Sequence, residues 1–318
     1  MNRRQAIKLI GGAGIFNLLP HPLFAEENSR TNGRNFLPRH KFVVGHRGAC
    51  AYAPENTLAS FRLAIKQGVE YVEQDLQITR DGVLICCHDT LLNRVTNVAE
   101  VFPDRFTEKA VKGKKEKQWP IHEFTLKEIK QLDAGSAFDP KFKGETIPTW
   151  QEAIEEIKGR AGLCPETKAP EYYGKLGFDM EALFVEVLRK NGLEKPGRQN
   201  STPVFIQSFS KESLLKLISQ YDTKWPQLWL TGANSKWTPA IFDEASRLFA
   251  ALGPHKADVN ASFVEQTQAR GLKVVPFTFR SGDVGKFASV KDEMRHYLYE
   301  IGVDGMFTDN PDQFPRQK

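Results

Sequence analysis

The sequence predicts an α/β fold: a TIM (β/α)8 barrel with a small insertion after a β-hairpin that follows the second strand. Three observations carry this expectation. Strand signals recur near residues 42, 70, 162, 204, 227, 249, 273 and 304, with helical patterns between them, which makes eight alternating units. Polar and charged residues gather at the carboxyl ends of most of these strands, where a barrel has its mouth. At 318 residues and 40% hydrophobic content, the chain is long enough for one barrel of about 250 residues and an insertion. An open doubly wound sheet is the competing arrangement. It lacks support from any GxGxxG or Walker sequence.

Residues 1–25 read as an export signal, leaving 26–318 as the barrel. They carry Arg3, Arg4 and Lys8 but no acid, then a Gly-rich, weakly apolar run from Leu9 to Leu19, and end at Leu23-Phe24-Ala25. The stretch NRRQAIKL resembles a twin-arginine signal, which implies a periplasmic location. Without these three basic residues the formal charge drops from +5 to +2. That argues against a nucleic-acid partner, which would need a concentrated basic footprint. No other segment offers 18 uncharged apolar residues, so no membrane span is expected after processing. Cys50, Cys86, Cys87 and Cys164 follow no CxxC or zinc spacing and are expected to be buried free thiols. The oligomeric state is left open.

The first strand is Lys41 to His46 (KFVVGH), with His46-Arg47-Gly48 at its carboxyl end. Asn56 is a suitable helix N-cap, Leu58, Phe61 and Ile65 share a helical face, and Gly68 is a stop. In the second strand Val72, Leu76 and Ile78 alternate with Tyr71, Glu73, Asp75 and Gln77, so Glu73 and Asp75 project to one side. Asp81-Gly82 signals a hairpin. A two-residue loop there would oppose residues summing to 163 and set Asp75 opposite His88. Two carboxylates beside an imidazole make a plausible site for a hard divalent cation with an acid/base neighbour.

Residues 91–148 break the β/α rhythm and read as the insertion, with Lys109, Lys112, Lys114, Lys115 and Lys117 in a solvated loop. Thr125 and Glu128 form a capping box opening a helix through Leu132, and Thr149 caps the helix at 149–158. The rhythm returns with Gly162 to Glu166, whose end carries Glu166-Thr167-Lys168. Met180, Leu183, Phe184, Val187 and Leu188 form a core-facing helical stripe. Pro203 to Phe209 is a strand, followed by a helix capped by Ser210. Weaker strands at Gln227–Leu230 and Phe249–Leu252 follow, then Lys273–Phe279 and Asp304–Thr308.

With these residues in view, the chain resembles the glycerophosphodiester phosphodiesterase family, in its periplasmic bacterial type. The segments that carry the resemblance are GHRGACAYAPENTLASF, EQDLQITRDGVLICCHD, CPETKAP, FIQSF, VPFTFR and GVDGMFTDNPD, in that order, with NRVTNVAEVFPDRF in the insertion. The resemblance implies a TIM barrel in which Glu73, Asp75 and Glu166 ligate a divalent metal, Ca2+ before Mg2+. It also implies that His46 and His88 exchange protons while Arg47 and Lys168 hold the phosphate. Glu55 would brace the mouth, and Gln207, Phe209 and Phe277 lie where the family meets its small-molecule substrate. Phe277 lacks the hydroxyl or indole donor that many relatives offer there.

The implied reaction releases sn-glycerol 3-phosphate from diesters such as glycerophosphocholine and glycerophosphoethanolamine, through a cyclic phosphate. A phospholipase D-like or phosphoinositide-cleaving activity on the same barrel is the alternative. It would want an apolar lip, whereas 91–148 is polar and lysine-rich. A binding protein without catalysis would be signalled by loss of a carboxylate or histidine from the set, and all five are present.

Overall fold

The computed structural model describes residues 32–196 and 202–317, so the expected export segment lies outside the described residues. The chain runs β1 (Phe42–Gly45), α1 (Leu58–Lys66), β2 (Tyr71–Ile78) and β3 (Leu84–Cys86). The insertion follows with α2 (Val98–Val101), a ribbon of β4 (Thr107–Val111) and β5 (Lys114–Gln118), and α3 (Leu126–Ile129). Then come α4 (Trp150–Ile157), β6 (Gly162–Thr167), α5 (Pro170–Lys175), α6 (Met180–Lys190), β7 (Ile206–Ser208) and α7 (Lys211–Ser219). The series ends with β8 (Gln227–Thr231), α8 (Pro239–Leu248), β9 (Ala251–Pro254), α9 (Ala261–Gln268), β10 (Lys273–Val274), α10 (Val290–His296) and β11 (Gly305–Thr308).

Eight parallel strands pair in the order β10-β9-β8-β7-β6-β2-β1-β11, and both weak strand signals, at 227 and 249, are strands. Asp304 N donates to Val274 O at 2.9 Å and Phe307 N to Pro276 O at 3.0 Å, which joins the two ends of the sheet. This is the TIM barrel that eight alternating units require. The Lys273–Phe279 strand signal yields a two-residue ladder, continued by single bonds from Val275 N to Leu252 O at 2.9 Å and from Phe277 N to Pro254 O at 3.2 Å.

Period-two alternation sorts side chains between two cores. Val43, Val72, Leu76, Leu163 and Ile206 face outward and pack under the helices. Phe42, Val44, Tyr71, Cys164 and Phe205 face inward and fill the barrel floor, with Phe42 and Tyr71 rings edge-on at 5.9 Å. Gly162 lets this floor close, since a Cβ there would lie 2.4 Å from the Tyr71 ring. The floor is therefore dry, and polar inward residues start one layer up.

Several local expectations are corrected. The hairpin after β2 opposes residues summing to 162, with Leu76 against Cys86 and Ile78 against Leu84. Its loop has three residues, because Thr79 pairs with Val83 through backbone and side chain and Gly82 takes φ 77°. Asp75 consequently meets Cys87, whose N–H donates to its carbonyl, rather than His88. The α1 cap is Thr57, which accepts from Ser60 N, and not Asn56. The lysine run is a two-stranded antiparallel ribbon instead of a loop, with Lys109 opposite Glu116 and Glu108 opposite Lys117. The capping box at Thr125 is present, but its helix stops at Ile129.

Residues of 91–148 have a small core of their own, in which Leu92, Val98, Trp119, Ile121, Phe124 and Ile129 pack with Ile85 and Cys87 of the returning hairpin arm. All four cysteines are free, and Cys86, Cys87 and Cys164 are buried. Among the described residues no helix is long and apolar enough to cross a membrane.

Candidate active site

Register builds the site. In the ladder of β2 and β6, Asp75 lies beside Glu166 and Glu73 beside Cys164, while Glu166 continues to Gln207 on β7. Parallel neighbours present their side chains to one face, so Glu73, Asp75 and Glu166 converge just above the aromatic floor. Each of the three offers an oxygen within 4.8 Å of the others, and all three residues are buried.

Two cations face these acids. Lys168 Nζ lies 3.5 Å from Asp75 and 3.2 Å from Glu166. Arg47, in the left-handed region at φ 53°, directs its N–H to Glu73 and its Nε to Asp75 at 3.3 Å. Burial pushes the Glu73 carboxyl well above its ordinary range, with Asp75 and Glu166 adding to the rise. Burial likewise pushes Glu166 up to about 8, with Asp75 raising it further against the opposing pull of Lys168. At Asp75 burial acts upward too, but Lys168 and Arg47 outweigh it and hold the carboxylate well below its usual range. The cluster thus has one carboxylate matched to its cations and two whose charged form burial and their neighbours disfavour.

Three converging carboxylates of this kind could hold a cation. The donors are all oxygen, without thiol or imidazole, which fits a hard divalent ion better than zinc. Gln207 supplies a further indication: its Nε2 donates to Glu73 at 3.3 Å, while its buried Oε1 has no hydrogen-bond partner among the described residues.

Both histidines stand over this cluster, each held by an acid. His46 Nδ1 lies 2.6 Å from Asp309 Oδ1, and His88 Nδ1 lies 2.7 Å from Asp89 Oδ1. A carboxylate only accepts, so each Nδ1 carries the proton and each Nε2 is left for proton exchange. Burial lowers the His88 pKa, with Asp75 opposing. The His88 backbone is fixed by Gln77 Nε2, which donates to its carbonyl at 2.8 Å, while Tyr173 Oη donates to Gln77 Oε1 at 2.8 Å.

The rim is tied by a chain of charges. Glu55 accepts from Arg47 at 3.1 Å and from Arg94 at 2.7 and 2.8 Å, and Arg94 Nε reaches Asp89 at 2.7 Å. Phe209 and Phe277 form the opposite wall, edge to face at 5.6 Å, and Lys168 Nζ lies 5.9 Å from the Phe209 ring centre. His46, Arg47, Glu73, Asp75, His88, Glu166, Lys168, Gln207, Phe209 and Phe277 all line one cavity. Glu55 lies outside it, on the adjoining one.

Sequence reasoning overlooked Asn56, Asp89, Arg94, His255, Arg280 and Asp309. Asn56 is buried, its Nδ2 donates to Asp75 Oδ2 at 2.8 Å, and its Oδ1 accepts from Asp75 N at 3.2 Å. Asp309 follows the last strand directly, so the rule that polar strand ends carry the site points to it.

Comparisons with known proteins point to one family. The sequence profile of the Glycerophosphoryl diester phosphodiesterase family matches residues 46–313. A Bacillus subtilis glycerophosphodiester phosphodiesterase is 31% identical over 96% of this chain and 94% of its own length. An Oleispira antarctica phosphodiesterase, solved in complex with the product sn-glycerol-3-phosphate, superposes with a TM-score of 0.69 at 30% identity, covering 88% of this chain and 96% of that one. A glycerophosphodiester phosphodiesterase from Agrobacterium tumefaciens gives a TM-score of 0.63 at 26% identity, over 86% of this chain and 98% of that one.

Proposed function

Because the chain belongs to the glycerophosphoryl diester phosphodiesterase family, we propose that it hydrolyses soluble glycerophosphodiesters to sn-glycerol 3-phosphate and an alcohol by paired histidine catalysis beside a divalent cation. Enzymatic phosphodiester hydrolysis is the common property of its relatives. The observation that carries the finer reading is the pair of acid-held imidazoles above a buried carboxylate cluster.

Glu73, Asp75 and Glu166 would hold the cation, Ca2+ before Mg2+, since calcium tolerates irregular oxygen geometry. When bound, it supplies positive charge to the non-bridging oxygens of the phosphate. Arg47 and Lys168 add to that field from both sides of Asp75. His46, with its proton on Nδ1 toward Asp309, uses Nε2 to take the proton of the glycerol 2-hydroxyl as that oxygen attacks phosphorus. His88, supported by Asp89 when charged, delivers a proton to the departing alcohol. The cyclic phosphate formed is opened by water, with the proton traffic reversed. Gln207, Phe209 and Phe277 would contact the glycerol, and Glu55 braces Arg47.

Glycerophosphocholine and glycerophosphoethanolamine are the substrates proposed, and the product bound in the Oleispira antarctica structure supports the glycerol phosphate half. The basic, then apolar N-terminal stretch supports twin-arginine export to the periplasm. The test is glycerol 3-phosphate release by the purified protein, after EDTA and after calcium or magnesium is restored. EDTA-sensitive release that is lost in Glu73→Ala and His88→Ala is expected. Metal-independent release of choline would overturn this mechanism.

A further inference from the structure

A second cavity adjoins the first, between the barrel mouth and the insertion. It shares His46, Arg47 and Arg280 with the first cavity, and its remaining wall includes Arg94, Ala137 and Phe138 of the insertion. A diester needs two such compartments, one for each ester arm. The first holds the carboxylates, Lys168, Phe209 and Phe277, so the glycerol phosphate arm belongs there on the reading above. We propose that the second cavity is the subsite for the departing alcohol, and that it favours alcohols bearing a carboxylate or several hydroxyls over those bearing a quaternary ammonium. This inference rests on the proposed function and narrows its substrate class.

Charge carries the argument. The second wall sets three guanidiniums, of Arg47, Arg94 and Arg280, against the carboxylates of Glu55 and Asp309. Both oxygens of Glu55 are occupied by Arg47 and Arg94, and Asp309 Oδ1 is engaged by His46 at 2.6 Å. Glu55 is therefore taken up by its two guanidiniums, while Asp309 keeps Oδ2 turned toward Arg280, so guanidiniums outnumber carboxylates on this wall. Arg280 is different: its side chain is 48% exposed, and its one ion pair among the described residues is a long contact, 3.8 Å from Nε to Asp309. Its guanidinium can present planar donors to a carboxylate or to hydroxyls.

The opposite wall is built rather than incidental. Phe138 is half-exposed and rests edge-on against Phe142 at 5.8 Å. The loop bearing it is pinned by Asp133, which accepts from Gly135 N at 2.9 Å, Ser136 N at 2.7 Å and Gly144 N at 2.8 Å. Gly135 is required there, since a Cβ would collide with the Phe142 carbonyl.

The experiment compares kcat/KM for glycerophosphoserine, glycerophosphoglycerol and glycerophosphocholine, by glycerol 3-phosphate release from the full chain with metal present. One exposed charge facing another is worth a factor of about 1.4 to 5. The serine diester should exceed the choline diester by about that factor, with glycerophosphoglycerol between. Arg280→Gln and Phe138→Glu should each lower the serine-to-choline ratio by a similar factor, and Phe138→Lys should raise it. The two positions lie on different elements, so a folding defect in one leaves the other informative. A wild-type preference for choline, or ratios unmoved by all three variants while glycerol 3-phosphate is still released, overturns the subsite alone. No release from any of the three diesters overturns the catalytic reading and the subsite with it.

Discussion

Replacing Asn56 by glycine should weaken cation binding without touching a proposed ligand. Asn56 holds Asp75 twice, through Nδ2 to Oδ2 at 2.8 Å and through Oδ1 to the Asp75 N–H at 3.2 Å. The bond to the carboxylate is worth about 1.5–3 kcal/mol and the backbone bond about 0.5–1.5, so about 2–4 kcal/mol of local order is removed. Glycine is the informative replacement because Asn56 sits at φ 55°, where alanine would add about 1–2 kcal/mol of strain. Loss of an outer partner of this kind costs roughly 10–100-fold in metal affinity. Calorimetric titration of EDTA-stripped protein with calcium should show that loss, and the calcium needed for half-maximal glycerol 3-phosphate release should rise in step. Calcium affinity and activation equal to wild type would refute the assignment of Asn56 as the orienter of Asp75, and with it the placement of the cation at this cluster.

Other outcomes follow from the same geometry. Asp309→Asn should cut kcat by about 10²–10⁴-fold, because an amide can hold His46 in the wrong tautomer, and its effect on KM should be small; steady-state kinetics check this. Arg94→Gln removes one partner each from Asp89, which keeps His88, and Glu55, which keeps Arg47, and should lower kcat/KM by about tenfold, while the exposed ion pairs it loses contribute only about 0–1 kcal/mol each, so the melting temperature should barely move. In metal-free protein Glu166 binds its proton more tightly folded than unfolded, its pKa being pushed up to about 8. That contribution is complete below the ordinary carboxyl range and disappears as pH rises through about 8, so the EDTA-treated protein should melt at lower temperature as pH is raised over that window. Calcium should flatten the trend and, on binding, release protons measurable in buffers of different ionisation enthalpy.

Much of this site is written in short-range pattern. Alternation along Tyr71–Ile78 puts Glu73 and Asp75 on one face, and the same logic puts Glu166 and Lys168 on another strand end, so the acid cluster follows once those strands are neighbours. What escapes the pattern depends on competition between equivalent local choices. Asp81-Gly82 suits a two- or a three-residue loop, and the Thr79 side chain decides for three. Asn56 and Thr57 are both good caps, and the choice falls to Thr57 because Asp75 claims the Asn56 amide. The lysine run lacks an apolar face, yet cross-strand pairs such as Lys109 with Glu116 let it form a ribbon. Asp309 is visible as an acid after a strand, but its partner His46 lies 263 residues away, and only barrel closure joins them.

The short ladder at Lys273–Val274 also says where this barrel should breathe. Beyond it the regular ladder gives way to isolated bridges at Phe277 and Phe279, beside Thr278 and Arg280, which line the mouth with Phe277. These residues depend on scattered bonds such as Phe279 N to Phe307 O at 2.9 Å and Asp309 N to Phe279 O at 3.0 Å. The amides of this stave should therefore exchange with deuterium earlier than those of Tyr71–Ile78, which pairs on both sides. A ligand that bridges Phe277 and Arg280 to the far wall would brace this thinly paired stave, slowing exchange along it when the mouth is filled.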